Sequence, residues 1–112
     1  MQQLINITPH ALNIHGVGGN VISIPPSGVV ARLSVSREAR PTLTVDSGFT
    51  IGVVKPTLGQ VQDLPPPSEG ITFVASALVA EAARRPDVMS PGELVRDTAG
   101  VITGCKGLCA YV

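Results

Sequence analysis

Short runs of alternating apolar and polar residues fill most of the chain, and few are long enough to wrap a helix. "LINIT", "ALNIH" and "NVISI" each alternate with a period of two and are separated by "PH" and "GVGG". They predict strands joined by tight turns, the opening of a β-meander. Pro25, Pro26, Ser27 and Gly28 then punctuate the chain ahead of "VVARLSV". There Arg32 interrupts an apolar strand whose polar face carries Ser34 and Ser36. "REARPTLTVDSG" reads as a turn or a short strand, "FTIGVV" as a strand, and "TLGQVQDL" as a further run able to pair with it. The cluster "LPPPSEG" closes this β-rich part.

"ITFVA" follows as a short buried strand, because β-branched and aromatic residues occupy its centre. Only beyond it does the period change. In "SALVAEAARR", Ala77, Leu78, Val79, Ala82 and Ala83 share a broad face, Ser76 is placed to cap the N-terminus, and Pro86 stops the run. Arg84 and Arg85 fall in the last turn of that helix, where cations oppose the negative end of its dipole. "PDVMSPGE" reads as a proline-rich loop, and "LVRDTAGVITGCKGLCAYV" as two strands across a turn from Asp97 to Gly100. The expected fold class is α+β: one small domain over residues 1–112, mainly antiparallel β-sheet, with one principal α-helix at about residues 76–85.

Composition sharpens this picture. At 112 residues the chain has room for one core, and 44% hydrophobic residues exclude a disordered polymer, so a compact protein is expected. Eight Lys and Arg balance eight Asp and Glu, which gives no overall field for a nucleic-acid polymer or an anionic membrane. Only 14% of residues are charged, a thin polar coat for a monomer, and the excess apolar surface predicts a homo-oligomer. "MQQLINITPH" lacks the basic and apolar regions of a secretion signal, and no run approaches the length of a membrane span. A cytoplasmic protein is the expectation. Cys105 and Cys109 in "CKGLC" have neither redox nor zinc spacing and read as plain thiols on a terminal strand.

The candidate chemistry is sparse. "GVGG" lacks the Lys-Ser/Thr of a phosphate loop and reads as a hairpin turn. His10 and His15 stand without further ligands at a metal-binding spacing, so neither a metal nor a cofactor is expected. No serine lies in a G-x-S-x-G elbow, and no nucleophile–base pair can be assembled, so no enzyme is expected. What remains are groups at element ends: Thr8 and His10 in "TPH", Arg32, Phe73, Ser76, and Arg96 and Asp97 in "VRD". An arginine fork can hold phosphate, an aromatic face can stack a purine, and a carboxylate can hold ribose hydroxyls. Those seven residues are the candidate ligand-binding set. Each also has a structural reading: Phe73 as core, Arg96 and Asp97 as a strand-turn pair, and "TPH" as a turn capped by His10.

The combination of N-x-T-P-H near the start, "IPPSGVVAR", "LPPPSEGITFVASALVAEA", an Arg-Pro-Asp and "LVRDTAGVITGCKGL" resembles small tailed-phage and prophage proteins that begin "NLTPH". This resemblance covers nearly the whole chain. The chain is similar, more distantly, to the anti-Thoeris sponge proteins with which phages sequester cyclic ADP-ribose signals. That similarity lies in size, in the strand–helix–strand C-terminal half, and in Phe73 and Arg96 standing where the sponges place a base-stacking aromatic and a phosphate-binding arginine. Where the sponges present a polar residue from the helix, this chain has Ala82 and Ala83. The resemblance implies an oligomer that sequesters a nucleotide immune signal, of the Thoeris or the CBASS kind, without turnover. The competing expectations are a structural or assembly protein of a phage or prophage, and a small nucleotide-processing enzyme.

Overall fold

The computed structural model describes residues 2–112. Its strands are β1 (Gln3–Asn6), β2 (Leu12–His15), β3 (Val21–Ile24), β4 (Arg32–Thr44), β5 (Thr50–Gln62), β6 (Ile71–Val74), β7 (Val88–Arg96) and β8 (Ile102–Ala110), with one helix, α1 (Ala77–Ala83), between β6 and β7. Six strands form one sheet in the order β1-β6-β7-β8-β2-β3, rolled into a nearly closed barrel, and β4 and β5 form a separate hairpin. The sheet is mixed, with β1–β6, β6–β7 and β2–β8 parallel and β7–β8 and β2–β3 antiparallel.

This architecture corrects the α+β expectation. Strand accounts for 54% of the residues and helix for 6%, so the fold is mostly β and has no principal helix. The run at residues 76–85 forms only two turns because Arg84 adopts the left-handed conformation (φ 48°) and its N–H closes on the Ala80 carbonyl. Ser76 does cap the N-terminus, accepting a hydrogen bond from the Val79 N–H at 3.4 Å. Further differences follow from proline. "PDVMSPGE" is largely strand, since Pro91 lies in β7 beyond the short reach of β6 and its missing N–H costs no ladder bond. Pro41 and Pro56 likewise sit within β4 and β5, which therefore run unbroken for 13 residues each. The expected meander is confined to β2–β3, because β1 pairs with β6 instead.

Three hairpins share one turn. In Gly16–Asn20, Val45–Phe49 and Asp97–Val101 the first N–H donates to the fifth carbonyl, at 2.7, 3.0 and 2.9 Å. The fourth residue is Gly19, Gly48 or Gly100, each with φ between 82° and 87°. A type I turn closed by a left-handed glycine needs that residue to lack a Cβ.

The rolled sheet is held closed by Asn6, which is 1% exposed. Its Nδ2 donates to the His10 carbonyl at 2.7 Å and to the Ile24 carbonyl, at the end of β3, at 3.1 Å. Its Oδ1 accepts from the Thr8 N–H at 2.9 Å and from the Thr8 hydroxyl at 2.6 Å. Adjacent backbone bonds continue the seam: Ser27 N–H donates to the Asn6 carbonyl, and Ala31 N–H to the Ile7 carbonyl. The core lies beside this seam, where Ile7, Phe73, Val79 and Val88 are buried with three alanines between the sheet, α1 and the base of the hairpin.

From that base the hairpin leaves the body as an arm. The molecule measures 58 × 39 × 24 Å with a radius of gyration of 17.9 Å. A compact chain of this length would have about 13 Å, so the expectation of compactness is also corrected. No helix is long and apolar enough to cross a membrane among the described residues.

Asn6→Ala removes four hydrogen bonds, the two with Thr8 buried and the two to carbonyls partly so, and takes their side-chain partner from the Ile24 carbonyl and the Thr8 N–H, while the His10 carbonyl keeps the Thr8 hydroxyl. It is expected to lower stability by about 2–4 kcal/mol. Thr8→Val, which removes the hydroxyl bonds to Asn6 and His10 but spares those that the Asn6 amide donates to the His10 and Ile24 carbonyls, is expected to cost less. Chemical denaturation of the two variants checks this order, and equal effects would mean that the Ile24 bond contributes nothing to closure.

Candidate functional site

The seven candidate ligand residues do not converge on one pocket. Phe73 is 3% exposed in the core, with no face free for a base. Thr8 is buried in the Asn6 turn, and its hydroxyl also lies 3.0 Å from the His10 carbonyl. His10 is exposed and enters this turn through its backbone. Ser76 caps α1. Arg96 donates from Nη1 to the Gly100 carbonyl at 3.0 Å, while Asp97 Oδ1 accepts from the Ala99 and Val101 N–H groups at 2.9 and 3.0 Å. Both therefore stabilise the β7–β8 turn.

Arg32 differs from the other six. It opens β4 and lines a hollow of ≈ 530 Å³ at the base of the arm with Gly28, Val29, Val30, Asp63, Leu64 and Pro65. Among the described residues its guanidinium makes no ion pair. Asp63, on the same wall, has a left-handed backbone (φ 61°) that carries the chain out of β5. This hollow is a place where a cation and a carboxylate meet solvent without being committed to each other.

Arg84 and Arg85 lie outside the helix, which corrects their expected place in its last turn. Arg85 instead forms a bidentate pair with Asp87, at 2.9 Å from Nε and 2.6 Å from Nη2, and donates from Nη1 to the Pro65 carbonyl at 3.0 Å. One side chain thus fixes the exit of α1, the entry to β7 and the proline loop after the arm. The hydrogen bonds from Arg85 hold the Asp87 carboxyl below the usual carboxylate range, against the opposing effect of burial.

The largest surface feature is the arm. Cross-strand partners share a face, and neighbours along a strand alternate. The register Arg40↔Val53 and Leu43↔Ile51, continued to Val45 and Phe49 across the turn, puts Leu43, Val45, Phe49, Ile51 and Val53 on one face of its distal half. All five are exposed, Phe49 most, at 67%. Val35, Val54 and Leu58 are exposed on the other face nearer the body. Sequence reasoning missed this surface because the strands looked interrupted at Pro41 and Pro56. The signal available was "VDSGF", a left-handed-glycine turn between two alternating runs.

Two further hollows lie on the barrel. One, of ≈ 640 Å³, lies between the Gly16–Gly19 turn and β8, and His15 and Lys106 reach it. The other, of ≈ 220 Å³, lies between the start of β2 and the β7–β8 hairpin. Among the described residues no group of three or more His, Cys, Asp or Glu is placed to hold a metal ion. Both cysteines are free thiols on β8, Cys105 buried and Cys109 exposed. No protein family, curated protein sequence or solved structure matches the chain.

The depressed Asp87 carboxyl has a defined pH signature. Its contribution to stability is complete above the unfolded value near pH 3.9 and is lost as pH falls through the lower folded value. Asp87→Asn is therefore expected to cost about 1.5–3 kcal/mol at neutral pH. The gap between variant and wild type should close on acidification below about pH 4. Thermal melts at several pH values check this, and a gap that stays constant into acid would assign the loss to packing instead.

Proposed function

We propose that the protein is a non-catalytic, self-assembling subunit of a phage or prophage complex, and that the arm joins its copies. The observation that carries this reading is the apolar distal face of the arm. A two-stranded ribbon is marginal in water by itself, and five exposed apolar residues along one face strongly favour a cover. The cover fits over the face rather than along the edges. Pro41 and Pro56 remove N–H groups from β4 and β5, and two bulges, between Leu33 and Val35 and between Arg40 and Leu43, break the register, so neither edge can template a long added strand. Another copy of the chain is the occupant that charge favours. Arg32, Arg37, Arg40 and Lys55 against Glu38 and Asp46 give the arm a net charge of +2, and the remaining four cations against six carboxylates give the body −2. The arm of one copy is thus electrostatically suited to the body of another.

Sedimentation at micromolar concentration is expected to show a discrete multimer of the 11.5 kDa chain. Leu43→Ser with Ile51→Ser, both at exposed positions, is expected to give a folded monomer. A wild-type monomer at that concentration would sink the assembly reading.

A second reading, sequestration of a nucleotide signal, is favoured by the uncommitted Arg32 in the hollow at the arm's base. A volume of ≈ 530 Å³ lies in the range of small-ligand sites, about 300–1,000 Å³. Arg32 would hold a phosphate there and Asp63 a ribose hydroxyl. Titration calorimetry with cyclic ADP-ribose isomers and cyclic oligonucleotides tests it. Arg32→Ala should weaken binding on the order of 10- to 150-fold, the loss of one charge-assisted contact. Arg96→Ala should leave affinity intact and lower the melting temperature. Binding that depends on Arg96 and not on Arg32 would put the ligand at the β7–β8 turn.

A further inference from the structure

Resting on the assembly reading, we infer that the receptor for the arm is the hollow between the start of β2 and the β7–β8 hairpin of a second copy, and that Phe49 is the side chain it receives. The hollow measures ≈ 220 Å³, and apolar side chains of Ala11, Leu12, Pro91, Leu94, Ile102 and Cys105 line it. A space of about 150 Å³ is enough for a benzene ring, so one phenylalanine side chain suits its size and its lining. Leu94 and Ile102 stand at its rim, each 50% exposed, and are the large apolar groups that a seated ring would cover.

The arm supplies a matching projection. Phe49 is the residue after the left-handed Gly48, at the far end of a 13-residue ribbon, and it is the more exposed of the chain's two phenylalanines. Anchors of this kind, a single aromatic entering a pocket with smaller apolar residues around it, dominate the energetics of protein interfaces. Leu43, Ile51 and Val53, behind Phe49 on the same face, would lie across the rim. Arm-to-arm packing would bring two surfaces of net charge +2 together, whereas arm-to-body packing joins +2 to −2.

Such a contact is unlike on its two sides, knob on one copy and hole on the other, and this makes a mixing experiment decisive. Phe49→Ala removes the knob and keeps the hole. Leu94→Lys, at a half-exposed position, blocks the hole and keeps the knob, with Ile102→Lys as a second hole variant. Circular dichroism establishes that each variant keeps the wild-type fold. Each alone is expected to sediment as a monomer. An equimolar mixture of a knob variant with a hole variant has one intact knob–hole pair and is expected to give a heterodimer of twice the 11.5 kDa chain mass.

A wild-type monomer would overturn the inference together with the assembly reading. A wild-type multimer that persists in both Leu94→Lys and Ile102→Lys, or in Phe49→Ala, would leave the assembly standing and overturn this assignment of its contact. Monomeric variants that fail to form a heterodimer when mixed would also overturn it, because knob and hole would then not meet.

Discussion

A six-stranded sheet has two edges, and in this protein one side chain brings them together. β1 and β3 end near each other without a full ladder between them, and the Asn6 amide bridges the gap by donating to the last carbonyl of β3 while accepting from the Thr8 turn. An asparagine suits this place because it presents donor and acceptor on a short, planar group that can be fully used when buried. Everything nearby takes its position from that seam. Ile7 enters the core one residue on, and Ser27 and Ala31 bond to Asn6 and Ile7 immediately before β4 begins. The base of the arm is therefore set against the closure of the barrel, and Arg85, bonded to both Asp87 and Pro65, anchors the chain where it comes back from the arm.

What the sequence made legible were features with local causes. The turns at "GVGG" and at Asp97 to Gly100, the buried strand "ITFVA" and the cap at Ser76 all depend on residues within a few positions of each other. The misreadings came where tertiary placement overrode a local rule. Pro56 and Pro91 read locally as breaks, yet each lies in a strand that is paired on one side only at that point, so a missing N–H on the other side costs no ladder bond. The alanine-rich run looked like a longer helix, but Arg84 in the left-handed region ends it and frees Arg85 to pair with Asp87. The turn at "TPH" was legible. The residue that organises it, Asn6, was not, because its partner Ile24 lies 18 residues away.

The candidate ligand residues illustrate the same division. Phosphate-binding and base-stacking side-chain types stand at the ends of elements, and ends of elements are also where polar side chains satisfy backbone groups. Ser76, Asp97, Thr8 and Arg96 all do so here, Thr8 through its hydroxyl to the His10 carbonyl. Arg32 alone among the seven faces an open hollow without an ion-pair partner among the described residues. Side-chain type was thus informative about what a residue can bind, and only the fold distinguished a backbone carbonyl from open space.

The distribution of bulk argues for assembly independently of any one contact. The core is built from small residues, with Ala31, Ala75 and Ala80 fully or nearly buried, and Phe73 is its one phenylalanine. The other phenylalanine, with Leu43, Ile51, Val53, Val54 and Leu58, is spread along the exposed arm. A monomer would gain stability by the reverse arrangement, because each large side chain moved from water into the core is worth about 1.5–3 kcal/mol. Apolar side chains placed where the chain itself cannot cover them lose that stabilisation until another surface does so. Under the proposed assembly, the +2 arm and the −2 body would give such a surface an electrostatic preference, and the proline-interrupted edges would direct it to the face of the ribbon.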